Sequence, residues 1–176
     1  NAAMDINTNG LSISMWVTLR NLPSQLSTSF GAILDSTNDC YVVYLDKGNK
    51  EMRFKITDTA GHAARPGIPE SWLVTNQWLH IVGTYTGAVG PASGQSTIYL
   101  NGQPRDVHTG NDGSSPFGLT NPVKSGQNAA MGREGFVGGN PFTGLVDDVA
   151  LWRRGLTPAE VSQIYTNGLA GRTLEL

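Results

Sequence analysis

The chain is short of charge. Only 15% of its 176 residues are Asp, Glu, Lys or Arg, and the formal net charge is −2. Without a basic excess it has little to neutralise a phosphate backbone, so no nucleic-acid partner is expected. It has one cysteine, Cys40, which excludes an intrachain disulfide framework and a cysteine-rich zinc site. Beside the apolar run YVVYL, that cysteine reads as a small buried thiol. The three histidines, His62, His80 and His108, show no metal-ligand spacing. No apolar run approaches the roughly 18 residues of a spanning helix, so no membrane partner is expected. No signal peptide is recognisable, and the start at Asn1 reads as an excised domain or a mature product. Turn formers, by contrast, are plentiful, with 22 Gly and 9 Pro. Many glycines, many uncharged polar residues and little charge suit a secreted β-rich domain. The length is sufficient for one full core. No linker or repeat divides the chain, so residues 1–176 read as a single domain.

Period-two patterns dominate. In LSISMWVTLR (11–20), Leu11, Ile13, Met15, Val17 and Leu19 fall on one face, as in a strand with one side in the core. YVVYL, DKGNK and MRFKIT (41–57) read as strand, turn and strand. With Met52, Phe54 and Ile56 inward, Arg53 and Lys55 face out, and Tyr44 shares their face if Tyr41, Val43 and Leu45 point inward. WLHIVGTYT (78–86) is apolar on both faces and suits a central strand. Asn101-Gly102 is a type I′ hairpin signal. Residues 58–71 and about 108–142 read as long loops, the latter interrupted by a short NAAMG strand. GLVDDVALW is a last strand. After it, Thr157-Pro158-Ala159-Glu160 forms a capping box with Pro at the first helical position, Leu156 and Val161 a hydrophobic staple, and Val161, Ile164 and Tyr165 an apolar stripe. Gly168 is expected to end this helix of about ten residues.

LSISMWV, then WLHIVGTYTG with IYLNGQ, then FTGLVDDVALWRRGLTPAEVSQIYTNG span most of the chain. In this order they resemble the laminin-G-like, concanavalin A-like jelly rolls. The resemblance implies an all-β, antiparallel β-sandwich jelly roll with one short C-terminal helix. Its two sheets would have six or seven strands each, one of them curved and concave. The same fold houses lectins, carbohydrate-binding modules, adhesion modules and glycoside hydrolases, so fold alone does not settle function.

A glycosidase needs two carboxylates about 5–10 Å apart across a cleft. None of Glu51, Glu70, Glu134, Glu160 and Glu175 has an acidic partner at i+2 or i+4 on a strand, and Glu160 belongs to the capping box. Asp147 and Asp148 are adjacent, so regular strand geometry turns them to opposite faces. His80 and Tyr85 are five apart on one strand, again on opposite faces, and G-x-S-x-G is absent. No enzyme is expected.

The resemblance further suggests a structural Ca²⁺. Asp147 of the last strand aligns with the family's ligand, Asp148 stands beside it, and Asp5, Asn9 and Gly10 lie where the remaining oxygens would come from. The plainer alternative is that the two aspartates bond backbone N–H groups or pair with Arg153 or Arg154. For a sugar, flat aromatics and planar polar groups must converge. Candidates are Tyr44 with Arg53 on the outer sheet face, His62, Arg65 and Trp72 in the 58–78 segment, and Arg133, Phe136 and Asn140 before the last strand. Each has a plainer alternative. Tyr44 and Arg53 would make a cross-strand pair on a solvated face. Trp72 would fold its loop onto the core, and Arg133 would pair with Glu134. Trp16 reads as packed beneath the helix, Trp78 and Trp152 as core, and His80 as a satisfied structural histidine. The expected function is non-catalytic recognition of a polysaccharide or other glycan, by an accessory module of a larger secreted bacterial protein with neighbouring domains. The alternative is a protein-binding adhesion module of the same fold.

Overall fold

The structure, a computed structural model, describes residues 10–87, 95–109, 119, 123–124, 128–134 and 139–172. In chain order the strands are β1 (Leu11–Leu19), β2 (Phe30–Ser36), β3 (Tyr41–Asp46), β4 (Glu51–Thr57), β5 (Ala63–Ala64), β6 (Gly67–Pro69), β7 (Trp78–Tyr85), β8 (Gln95–Leu100), β9 (Gln103–Thr109), β10 (Ala129–Met131) and β11 (Gly144–Trp152), followed by helix α1 (Pro158–Leu169). They form two antiparallel sheets. One has five strands in the order β11-β1-β7-β8-β9; the other has six, ordered β10-β2-β3-β4-β5, with β6 also paired to β4. The sandwich jelly roll is as expected. Among the described residues, its sheets hold five and six strands where six or seven each were expected.

The alternating residues meet between the sheets. The inward set of β1 packs against Tyr41, Val43, Leu45, Met52, Phe54 and Ile56 of β3 and β4. Gly83 of β7 allows the closest approach: a Cβ there would lie 2.4 Å from the Phe54 ring, so any larger residue would push the sheets apart. Cys40 is buried in this core, and its thiol donates to the Lys124 carbonyl. The Asn101-Gly102 turn has positive φ at both residues, 51° and 77°, as a type I′ hairpin requires.

Two expectations about irregular segments need correction. Residues 58–71 are not a free loop. β5 and β6 extend the six-stranded sheet beside β4, and Ala63, Ala64 and Ile68 are buried; these short apolar residues hide their strand character between turns. The helix also runs past Gly168 to Leu169, twelve residues in all, and the left-handed residue that follows it is Gly171 at φ +64°. Gly168 is small for a different reason. A Cβ at that position would meet the Trp16 ring at 2.8 Å.

Helix α1 covers the outer face of the five-stranded sheet. Thr157 Oγ1 accepts the Glu160 N–H and Glu160 Oε2 accepts the Thr157 N–H at 2.8 Å, completing the capping box. Arg154 adds a two-pronged pair to the same carboxylate, at 2.6 and 2.9 Å. The Arg154 guanidinium and the Thr157 N–H hold Glu160 well below the usual carboxylate range, at about 2. Leu156, Val161 and Ile164 then bury against Val82 and Tyr99 in a second apolar cluster, with Trp152 at its edge.

Candidate functional site

The outer face of the other sheet is open. A groove of about 900 Å³ runs across β2, β3 and β4. Strand alternation puts Tyr44 and Asp46 of β3, and Arg53 and Lys55 of β4, on this face, and Tyr44 sits directly opposite Arg53. A bulge in β2 between Ala32 and Leu34 turns both Ile33 and Leu34 into the core. That leaves Phe30, Ala32 and Asp35 on the groove side. One wall is made by Asn140, whose carbonyl accepts the Ala32 N–H at 3.0 Å, and by Glu134, which accepts from Asn140 Nδ2 at 2.8 Å. Arg65, between β5 and β6, lines the opposite side.

The groove side chains hold one another in place. Arg53 Nε donates to Glu51 at 2.8 Å, and its Nη1 lies 3.8 Å from Asp46. Asp46 also accepts from Asn49, through the backbone N–H at 3.0 Å and the side-chain amide at 2.9 Å. Lys55 pairs with Asp39. Lys47 donates to the Leu26 carbonyl. Phe30 meets Tyr44 edge-on, with ring centroids 5.7 Å apart. Tyr44 is buried, whereas Phe30 is 41% exposed and lines the groove. Burial raises the Tyr44 phenol above its ordinary value, and the adjacent Arg53 guanidinium partly opposes this, so the phenol stays neutral. The surface is therefore extensively cross-bonded and mixed in polarity, and among the described residues it carries one accessible aromatic ring, Phe30.

Of the residues expected to bind ligand, Tyr44, Arg53, Arg65 and Asn140 converge on this groove. Three do not line it. His62 closes its own turn, with Nδ1 3.0 Å from Asp58 Oδ2 and its backbone N–H on Asp58 Oδ1. Trp72 is half-exposed on the short 3-10 turn after β6 and stacks under the Arg105 guanidinium at 4.1 Å. It neither joins the groove nor folds onto the core. Arg133 is exposed, and Glu134 beside it bonds Asn140. Phe136 lies outside the described residues. Phe30, Asp46 and Asn49 also line the groove, without standing out in the sequence. Asp46 was legible as the residue two along from Tyr44, and Asn49 as part of the turn that follows it.

The acidic pair does not split between the two faces as regular alternation predicts, while Asp147 makes the backbone N–H bond of the plainer alternative. β11 bulges opposite β1, where the register steps from Ser14↔Ala150 to Trp16↔Asp147, and Asp148 adopts φ +47°. The bulge breaks alternation, so the two carboxylates do not split between faces. Both are exposed, and both line a shallow depression of about 310 Å³ with Trp16, Trp78, Gly168 and Leu169. Asp147 Oδ1 accepts the Asp148 N–H at 2.9 Å, which secures the bulge. Gly10 is not near them. It packs against Tyr85 and Gly155, six residues along β1 from the strand partner of Asp147, a separation of about 20 Å. Asp5 and Asn9 lie outside the described residues. No group of three or more His, Cys, Asp or Glu side chains able to hold a metal occurs among the described residues.

Trp16 is packed as expected, stacked on Tyr165 with centroids 5.8 Å apart and tilted against His80 at 5.1 Å. Trp78 is not core. It is 45% exposed at the start of β7, because it lies on the outer face beyond the reach of the helix. His80 is fully buried, with Nε2 2.8 Å from Ser14 Oγ and Nδ1 unpartnered, and burial lowers it to about 4. It is thus structural, and only half satisfied.

Solved structures share this architecture at low identity. A SAP-like pentraxin from Limulus polyphemus is 17% identical with a TM-score of 0.63, over 92% of this chain and 72% of its own. The binding domain of botulinum neurotoxin serotype G is 18% identical with a TM-score of 0.66, over 96% of this chain and 39% of its own. A candidate carbohydrate-binding protein from Bacteroides ovatus is 16% identical with a TM-score of 0.60, over 89% of this chain and 41% of its own. The chain thus spans well under half of the last two. No curated protein matches at a significant level. Residues 1–162 match the laminin G family described as the concanavalin A-like lectin/glucanases superfamily. The match covers most of the chain, and the chain belongs to that superfamily.

Proposed function

We propose that the domain binds a glycan, without catalysis, in the groove across the six-stranded sheet. The observation that carries this is the convergence of an exposed aromatic ring, Phe30, with fixed planar polar groups from Arg53, Asn49 and Asn140 around one concavity. Such a combination stacks on the C–H face of a sugar and bonds its hydroxyls. The relatives point the same way: a toxin binding domain and a candidate carbohydrate-binding protein share the fold. The groove carboxylates are engaged by neighbours, among them Asp39 by Lys55, Asp46 by Asn49 and Arg53, and Glu134 by Asn140. That pattern supports a scaffold of acceptors rather than an acid and base free to move protons.

The proposal extends to an accessory module of a larger secreted bacterial protein, in keeping with the 39% and 41% of the neurotoxin domain and the Bacteroides ovatus protein that the chain spans. It also extends to a structural Ca²⁺ held through Asp147 or Asp148, for which excess calcium should raise Tm over chelator. A glycan array on the purified domain tests the main claim. Saturable binding lost in Arg53→Ala, with the bound glycan recovered intact, supports it; a blank array from folded protein overturns it. A second reading has its own observation. Trp78, Leu145 and Leu169 are each 45–64% exposed around or beside the depression, an apolar surface of the kind that docks protein. Binding that survives groove substitutions and is lost in Trp78→Ala would favour it.

A further inference from the structure

We propose that the groove ligand is an uncharged oligosaccharide rather than an acidic or sulfated one. This rests on the glycan reading above and goes further, because it follows from how the groove charges are arranged. Among the described residues, the lining carries four cations, Lys47, Arg53, Lys55 and Arg65. On that count the face could pass for an anion site. It carries as many carboxylates, Asp35, Asp39, Asp46 and Glu134, and the two signs are interleaved.

The pairing is local as well as numerical. Arg53 lies between Glu51 at 2.8 Å and Asp46 at 3.8 Å, with its side chain only 17% exposed. Lys55, 16% exposed, is paired to Asp39. Lys47 spends a donor on the Leu26 carbonyl. A uronate or sulfate entering here would have to displace a carboxylate from Arg53 or Lys55, and it would be repelled by the carboxylates that remain. Neither contact gains the field that an anionic ligand needs.

A neutral sugar meets the opposite situation. Its hydroxyls both donate and accept, so a carboxylate next to a guanidinium or an amide offers a matched pair of partners to vicinal hydroxyls. Asp46 beside Asn49, and Glu134 beside Asn140, are two such pairs, fixed by bonds of 2.8–3.0 Å. Phe30 supplies an uncharged stacking surface near the first of them, and the groove, at about 900 Å³, has room for more than one sugar ring.

The experiment is a panel of matched neutral and acidic oligosaccharides, the latter uronate-containing, sulfated or sialylated, titrated calorimetrically at about 50 mM and about 500 mM NaCl. Expected is binding confined to neutral glycans, with affinity changing by less than about twofold between the two salts, since no net charge is screened. Phe30→Ala should weaken it by about tenfold. Preferential binding of acidic glycans that falls steeply with salt would overturn this inference while leaving the glycan function standing. Silence from both panels with folded protein would overturn both. Binding indifferent to Phe30→Ala and Arg53→Gln would place the ligand outside the groove and also overturn both.

Discussion

The two sheets present outer faces of similar composition and opposite fate. On the five-stranded sheet, Trp16, His80, Ser14 and Thr18 project outward and helix α1 lies across part of them. On the six-stranded sheet, Phe30, Tyr44, Arg53 and Lys55 project outward and stay open. Both faces alternate polar with aromatic residues, so alternation alone does not distinguish a covered platform from a binding surface. What distinguishes them is size at one position and charge at the rest. The covered face has glycine, Gly168, where the helix must come within contact of an indole. The open face carries paired charges that no apolar stripe could bury without large desolvation cost.

The strongest way to break the contrast is to remove the cover. Ile164 is fully buried between helix and sheet, and Ile164→Ala should cost about 3 kcal/mol in chemical denaturation. Affinity at the groove, on the other side of the sandwich, should not change. A loss of binding equal to the loss of fold would show that the faces are coupled.

Acid tests the same cover without a mutation. His80 titrates near 4 when folded, against 6.5 for the free side chain, because burial disfavours the imidazolium. The folded pKa is the lower one, so the unfolded chain binds more protons between these values. The stabilisation is fully present above pH 6.5 and is lost as pH falls from 6.5 to 4. The loss is roughly 3 kcal/mol over that window. His80→Phe should flatten that part of the stability–pH curve. An unchanged curve would mean that His80 is solvated or paired when charged. Glu160, held at about 2 by Arg154 and Thr157, contributes in a separate window, above about 4.5 and lost below it.

Gly168→Ala sharpens the contrast at one atom. In an exposed helix this change adds about 1 kcal/mol of stability. Here the new methyl meets Trp16 at 2.8 Å, and that ring packs against both Tyr165 and His80, which also stack on each other, so little room is left for it to shift. A net loss of about 1–2 kcal/mol is expected. A gain in Tm would mean that the helix rides higher on the sheet.

The fold was legible where one period ran unbroken. LSISMWVTLR, MRFKIT and the T-P-A-E box each state their geometry locally, and the outward pairing of Tyr44 with Arg53 follows from two alternations read together. The acidic pair was misread because a bulge is a property of two strands. Nothing in GLVDDVALW says that Met15 will face two residues of it. The exposure of Trp78 is not legible locally, because it depends on where a helix ends about ninety residues later. Half of the groove was legible from the same alternation. Asn140 and Arg65 fall into it from segments without periodicity, and Phe30 from a strand whose bulge hides its phase.

Phe30→Ala carries the smallest expected change in stability and the most specific one in function. The ring is 41% exposed and touches Tyr44 edge-on, so its removal should shift unfolding by less than about 1 kcal/mol. If the open face is the binding face, affinity for a neutral glycan should fall about tenfold, with kinetic loss mainly in dissociation. Phe30→Tyr should keep most of the affinity, because the stacking face is preserved and the new hydroxyl points toward solvent or ligand. If Phe30→Ala instead lowers stability by several kcal/mol and leaves binding untouched, Phe30 is packing and the open face is merely solvated. The two outer faces would then differ in cover but not in function.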